Sequence, residues 1–431
     1  MKKWLAVVAA GLVPYAFSAD GETDVLKQIN QLQKQIQEQQ QQIEALSRQL
    51  QDNSAASEQE VSRLVKQEVD AAIEEQGLAQ VKDAAQITLG SAIDGLTLKG
   101  DLRLRYELRE EDGAAAATDR ERDRFRTRFR LGGVWKNSSE SWEVGAGLAT
   151  GGAGATSTNA TWDNTFETGD IRLDYAYAKH SMDNGVTLAL GQQKNVFQTS
   201  YILWDSDIRP AGATVHYGQD MLFATAGAYN LFANDTADRD DMGNLYAAQT
   251  GIKADFEGTN AMLAVGYYAF DGNVYEQQGL AGYDMSLVDL YATVGTEVGD
   301  VSLGAFGQYA MNLDADSAVG SQTGIATIDP EDEDTAWVVG ASAGMGKFKL
   351  GYSYAHIEAD GVPFFLKDAD FGSGIGFGDT NVKGHKLSAG YKVTKNFSLG
   401  ATAFLYEPIE GSPLYRNDDV TLYQVDLGYK F

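Results

Sequence analysis

Cysteine is absent from the 431 residues, which removes disulfides, thiol chemistry and thiolate metal sites together. Histidine is nearly absent too. His180, His216, His356 and His385 are scattered, with no metal-ligand spacing and no serine or aspartate partner readable beside them. No metal, cofactor or catalytic residue is therefore expected, and the chain reads as a non-enzyme. Positive charge is in deficit, with 34 Lys and Arg against 61 Asp and Glu and a net charge of −27. With no basic tail to offset it, that balance repels nucleic acid and excludes it as a partner. Long apolar runs are missing as well: none reaches the ~20 residues a spanning helix needs, so any membrane crossing is made by strands. The length would suit two or three soluble domains, or a single barrel.

Residues 1–19 have a basic start, an apolar run and a small-residue exit near Ala19, the pattern of a secretory signal. Residues 20–76 read as an α-helical coiled coil. Val25, Ile29, Leu32, Ile36, Gln39, Ile43, Leu46 and Leu50 alternate spacings of four and three, a heptad seam whose polar member, Gln39, is of the kind that fixes register. Ile29, Ile36 and Ile43 at one core position, with Leu32 and Leu46 at the other, favour a two-stranded coil. Residues 77–95 read as a linker.

From residue 96 to 431 the period becomes alternating, in sixteen segments. Their connections alternate in length. Tight turns such as Glu257-Gly258 and Gly299-Asp300 are interleaved with long polar loops such as 151–168, 195–208, 313–334 and 358–381. Short turns at one end and long loops at the other are the arrangement of a bacterial transmembrane barrel, and an even strand number leaves both chain ends in the periplasm. The last strand, Val420 to Phe431, puts Tyr423, Val425, Leu427, Tyr429 and Phe431 on one face and Gln424, Asp426, Gly428 and Lys430 on the other. It resembles the carboxy-terminal assembly signal of Gram-negative outer-membrane barrels. Trp135, Trp142, Phe397 and Phe431 are placed to form a periplasmic aromatic girdle.

The alternation also sorts charge. On the first strand Leu102, Leu104 and Tyr106 share one face, and Arg103 and Arg105 share the other with Asp101 and Glu107. On the second, Arg122, Arg124, Arg126, Arg128 and Arg130 oppose Phe125 and Phe129. An Arg facing lipid at midplane costs roughly 2–4 kcal/mol, so these must face water and stack into one basic wall. Two readings stand side by side: a field that sorts solutes, or a structural ladder pairing the arginines with Asp101, Glu107, Asp123 and Asp174.

Residues 96–431 resemble the sixteen-stranded, usually trimeric porins, and the whole chain resembles the putative-porin families that carry a periplasmic coiled coil, phosphate-selective porins among them. The resemblance implies an all-β, 16-stranded antiparallel barrel in the outer membrane, in contact with lipid and lipopolysaccharide, passing small hydrophilic solutes by diffusion. It implies a homotrimer, against the two strands favoured by the heptads. It also implies an arginine-lined eyelet, and a third loop folded inward so that Tyr201, Trp204, Asp205 and Asp207 line the constriction. Phosphate selectivity is not carried over, because lumen carboxylates dilute the basic wall. The alternative function is a structural anchor whose coiled coil binds a periplasmic partner or the cell wall. The acidic loops Asp235–Asp241 and Asp329–Asp334 read as solvated faces rather than cation sites.

Overall fold

In the computed structural model the chain divides into two units, 1–82 and 83–431. The described residues are 95–431 apart from 114–118, 138–140, 153, 167, 233–242, 272–273, 376–378 and 412–416, together with the backbone of Ile87–Thr88. The expected signal, the heptad seam and Asp235–Asp241 lie outside them. Ile87–Thr88, inside the expected linker, pairs with Thr97 and Leu98.

Sixteen long strands follow. They are β1 (Leu96–Gly113), β2 (Arg120–Asn137), β3 (Trp142–Thr150), β4 (Ile171–Ser181), β5 (Val186–Gln192) and β6 (Ala211–Gln219). Next come β7 (Leu222–Phe232), β8 (Gly243–Phe256), β9 (Thr259–Asp271), β10 (Ser286–Val298) and β11 (Val301–Asn312). The set ends with β12 (Thr335–Met345), β13 (Phe348–Ile357), β14 (Val382–Lys392), β15 (Phe397–Pro408) and β16 (Asn417–Lys430). Each pairs antiparallel with the next, and β16 returns to β1 with Asp426 opposite Arg105 and Gln424 opposite Glu107. The sheet is thus a closed cylinder in which every strand has a partner on each side, as a lipid-embedded sheet requires.

Local chemistry explains the turns and the seam. Phe256 and Thr259 pair across a two-residue hairpin whose central residues, Glu257 and Gly258, have φ of 50° and 87°. That left-handed pair matches the strand twist, and glycine takes its half of it without strain. At the seam Phe431 donates its amide to the Gly100 carbonyl (3.0 Å) and accepts from the Gly100 amide (2.9 Å), and its ring stacks on Phe129 at 6.2 Å.

The faces sort as the alternation requires. Leu102, Leu104, Phe125, Trp135 and Trp142 are exposed on the outer surface, as are Tyr423, Val425, Leu427 and Tyr429, while Arg105, Glu107, Arg109 and Gln424 are buried on the inner one. Asp123 belongs to the exposed outer row with Phe125 and so is not part of the expected ladder.

The long connections depart from the polar loops expected. The third (193–210, L3), fifth (272–285, L5), sixth (313–334, L6) and seventh (358–381, L7) bury apolar side chains against inner-wall residues. Phe197, Ile202, Leu203 and Trp204 of L3 join Tyr275, Ile325, Leu366 and Phe371 in one cluster with Tyr229, Leu245, Tyr268 and Leu287 of the wall. Burial of apolar surface pulls these loops inward and leaves a cavity beside β1, β2 and β14 to β16.

Candidate functional site: an arginine wall faced by three loops

Strands β1 and β2 are the longest in the barrel, at 18 residues each, and carry the basic wall. Their register puts Arg103 opposite Arg128, Arg105 opposite Arg126 and Arg109 opposite Arg122, with Glu107 opposite Arg124 and Asp101 opposite Arg130. The seven arginines expected on the inner face, Arg103, Arg105, Arg122, Arg124, Arg126, Arg128 and Arg130, all lie there, and Arg109 joins them.

Carboxylates thread between the guanidinium groups. Glu107, only 1 % exposed, lies 2.5 Å from Arg124, 3.5 Å from Arg126 and 3.6 Å from Arg122. Asp101 accepts from Arg128 and Arg130, each at 2.8 Å. Asp426 takes a forked pair from Arg105 at 2.7 and 2.9 Å, the geometry that makes Arg–carboxylate pairs strong. Asp174, expected in the ladder, instead faces Arg209 at the end of L3, 3.4 Å away.

Three loops close the other side of a cavity of about 420 Å³ bordered by seven of these eight arginines, Arg130 lying outside its lining. The second long connection (151–170, L2) leaves β3 and turns inward. There Ser157 Oγ accepts from Arg126 (3.0 Å) and Asn159 Oδ1 from Arg103 (2.6 Å). The chain then pairs Ala160 and Thr161 with Thr127 and Arg126 and sets Trp162 outside, stacked on Phe125 at 5.9 Å. L3 crosses the lumen on polar struts: Gln198 N donates to Gln249 Oε1 (2.7 Å), Ser200 N to Gln308 Oε1 (2.7 Å), and the Tyr201 hydroxyl meets Ser353 Oγ (3.0 Å).

L7 then docks on L3. Asp205 N donates to the Leu366 carbonyl (2.6 Å), Asp368 N to the Tyr201 carbonyl (2.9 Å) and Ala369 N to Asp205 Oδ2 (3.3 Å). Asp370 reaches Arg105 at 3.4 Å, and Arg109 bonds the Ser373 hydroxyl and carbonyl.

Of the loop residues expected at the constriction, Asp205 and Asp207 border the cavity. Asp207 Oδ2 accepts from Thr158 at 3.1 Å, and its other oxygen lies 3.7 Å from Arg130. Tyr201 and Trp204 do not border it. Trp204 is buried against Phe197, and Tyr201 lies under Lys386, whose ammonium is 4.4 Å from the ring centre. Asp368, Asp370 and Ser373 of L7 and Ser157 and Asn159 of L2 were not expected. The one local signal for the L2 excursion is the run Gly151-Gly152-Ala153-Gly154, and nothing local marks L7.

The loop carboxylates feel this setting differently. Burial, reinforced by the Asp368 charge, pushes the Asp205 carboxyl up to about 7 against the amides of Asp207 and Ala369. Burial raises Asp370 too, but Arg105, Gln424 and Arg126 outweigh it and hold the group below the usual carboxylate range. Across the cavity, then, a surplus of guanidinium faces a loop wall carrying carboxylates. Among the described residues no three His, Asp or Glu side chains gather closely enough to hold a metal by themselves.

Residues 110–281 match the family described as "Putative porin". A search of curated proteins finds no relative. Among solved structures, OprB of Pseudomonas putida is similar over 78 % of this chain and 94 % of its own, with a TM-score of 0.54 at 14 % identity. A mutant of the Rh. blastica porin (78 % and 100 % covered, TM-score 0.45, 12 % identity) and OmpT, an outer membrane protein of Vibrio cholerae (81 % and 100 %, 0.45, 14 %), are also similar. Over residues 110–281 the chain is thus similar to the porin family, and its closed sixteen-strand cylinder shares the fold of OprB.

Proposed function

We propose that the barrel is a channel for passive diffusion of small hydrophilic solutes in which anions are favoured at the arginine wall. The single observation that carries the reading is the cavity bordered by Arg103, Arg105, Arg109, Arg122, Arg124, Arg126 and Arg128 on one side and by L2, L3 and L7 on the other. Rings of fixed charge beside water sort solutes by sign, and low-dielectric walls strengthen the field. Nine inward arginines of β1 and β2, Arg120 among them, share six carboxylates, Asp101, Glu107, Glu111, Asp207, Asp370 and Asp426, which leaves the wall positive. Opposing carboxylates on the loops, at Asp207 and Asp370, give the field a direction across the pore.

Planar-bilayer recording with a salt gradient tests this. The expected reversal potential is that of an anion-preferring channel, and changing Arg124 and Arg126 together to Ala moves it toward cations. Absence of conductance would remove the channel reading, and a strong cation preference untouched by those changes would remove the anion clause.

The reading extends to assembly. Ile29, Leu32, Ile36, Gln39, Ile43 and Leu46 would form a periplasmic stalk joining copies of the chain, a homotrimer by resemblance to porins. Deleting residues 22–76 separates channel from tether, because a porin lacking them still conducts whereas an anchor loses its envelope phenotype.

A further inference from the structure

Where L6 meets L7 at the long-loop end of the barrel, two polar side chains are completely buried, Gln322 and Asp360, each 0 % exposed. Gln322 Nε2 donates to the carbonyls of Ala359 (2.7 Å) and Val362 (2.8 Å), which fixes the amide and leaves Oε1 as an acceptor with no donor. Asp360 Oδ1 accepts from the Tyr283 hydroxyl and the Gln322 amide, both at 2.7 Å, while Oδ2 has no hydrogen-bond partner. Burial raises this carboxyl above the usual carboxylate range, against the Ser321 hydroxyl, the Gln322 amide and the Tyr283 hydroxyl.

Glu333 is tied to the same place, its carbonyl accepting from Asp360 N at 2.8 Å, and its buried Oε2 is a third acceptor without a donor. Glu358, Glu410 and Asp332 add negative charge around Glu333. The neighbouring basic groups are engaged elsewhere: His356 faces Glu358 at 3.7 Å and Lys383 faces Glu407 at 3.4 Å.

Three buried acceptor oxygens without a hydrogen-bond partner, Gln322 Oε1, Asp360 Oδ2 and Glu333 Oε2, in a field of carboxylates, suit a cation. We propose that Asp360, Gln322 and Glu333 form a divalent-cation site, best matched to Ca²⁺, that clamps L6 to L7. Calcium accepts mixed carboxylate, amide and water oxygens in irregular geometry, whereas magnesium demands near-ideal octahedral ligands, so a site assembled from two loops suits the larger ion. Two carboxylates and one amide, completed by water, belong to the weak extracellular class, with Kd of roughly 10⁻⁴–10⁻³ M. The rival occupant is a proton on Asp360 Oδ2 donated to Gln322 Oε1, which would satisfy both atoms without metal.

Terbium luminescence on the full chain in detergent, freed of lipopolysaccharide and treated with EDTA, decides between them. Tyr283, bonded to Asp360, and Tyr275, whose ring is 4.7 Å from that of Tyr283, are placed to sensitise a bound lanthanide. The expected result is saturable emission that Ca²⁺ displaces, weakened by at least about tenfold in Asp360→Asn and in Glu333→Gln, with both variants still migrating as folded barrels. If Asp360→Asn fails to fold, Glu333→Gln at the half-exposed rim carries the test alone. Absence of saturable emission, or identical titrations in wild type and variant, would overturn the site and leave the shared proton in its place. Conductance is not the readout, so failure of the channel reading leaves this result unaffected.

Discussion

Arg105 and Arg126 face each other directly across the β1–β2 ladder, two guanidinium groups at one level of the same wall. Like charges opposite one another destabilise a sheet, and the arrangement recurs at Arg103 with Arg128 and at Arg109 with Arg122. A ladder serving stability alone would alternate sign at every rung. Only Asp101 with Arg130, Glu107 with Arg124 and Glu111 with Arg120 do so here. Ladder and field are therefore both built into the wall, with carboxylates at some rungs and surplus positive charge at others.

Arg126→Ala separates the two roles. It removes one half of a like-charge pair, whose contribution is about 0.2–1 kcal/mol, a contact to the neutral Ser157 hydroxyl, and a 3.5 Å contact to Glu107, which keeps Arg124 at 2.5 Å. Thermal stability of the folded barrel in detergent stays within about 1 kcal/mol of wild type or rises, while reversal potential moves toward cations. A large loss of stability with unchanged selectivity would mark Arg126 as purely structural.

Glu107→Gln has the opposite signature. This carboxylate is almost fully buried and is shared by Arg122, Arg124 and Arg126, so neutralising it leaves three guanidinium groups without their common counter-charge. Breaking a buried pair costs up to about 3–5 kcal/mol, less where lumen water reaches the half-exposed Arg122. The temperature at which the barrel loses its folded gel mobility should fall, and anion preference in the surviving channels should strengthen.

The barrel was legible because its signal is periodic and repeats: strands of period two, with the lipid cost of an outward Arg fixing which face is which. The wall was legible for the same reason, down to the inward row from Arg122 to Arg130. Asp123 stands outside the ladder because parity places it on the outer face with Phe125. L7 was invisible because its contacts with L3 are mostly main-chain bonds, such as Asp205 N to the Leu366 carbonyl, between segments more than 150 residues apart. No side-chain pattern encodes such bonds. Trp204 failed as a lining residue because an aromatic in an inward-folding loop is drawn to the apolar wall, and the strands supplied one at Tyr229 and Tyr268.

Phe431 and Gly100 make a prediction about assembly. Their paired backbone bonds close the seam beyond Lys430, and a Cβ at residue 100 would strike the Phe431 ring. Gly100→Leu should therefore hinder closure about as severely as deleting Phe431, and Gly100→Ala should do so less. Folded yield after refolding into detergent measures it, and normal yield from Gly100→Leu would show that the ring has room to move.

Asp205 ties L3 to L7 through its main-chain amide and its carboxylate Oδ2, while Oδ1 accepts from Asp207 N within L3, and it lies close to Asp368 and the buried Lys367. Its folded carboxyl titrates at about 7 against an ordinary value of 3.8, so between those limits the folded state holds a proton that the unfolded chain has released. The contribution is fully present below the unfolded value and is lost as pH rises through about 7, which makes the L3–L7 contact firmest on the acid side. Single-channel current should be quiet near about pH 5 and show more loop-driven fluctuation near about pH 8. Asp205→Asn keeps a neutral side chain at every pH and should stay quiet across the range. Equal noise in wild type and variant at the alkaline end would place the moving part elsewhere than at this contact, because the Asn side chain keeps the shape of the carboxyl and one acceptor oxygen while removing its titration.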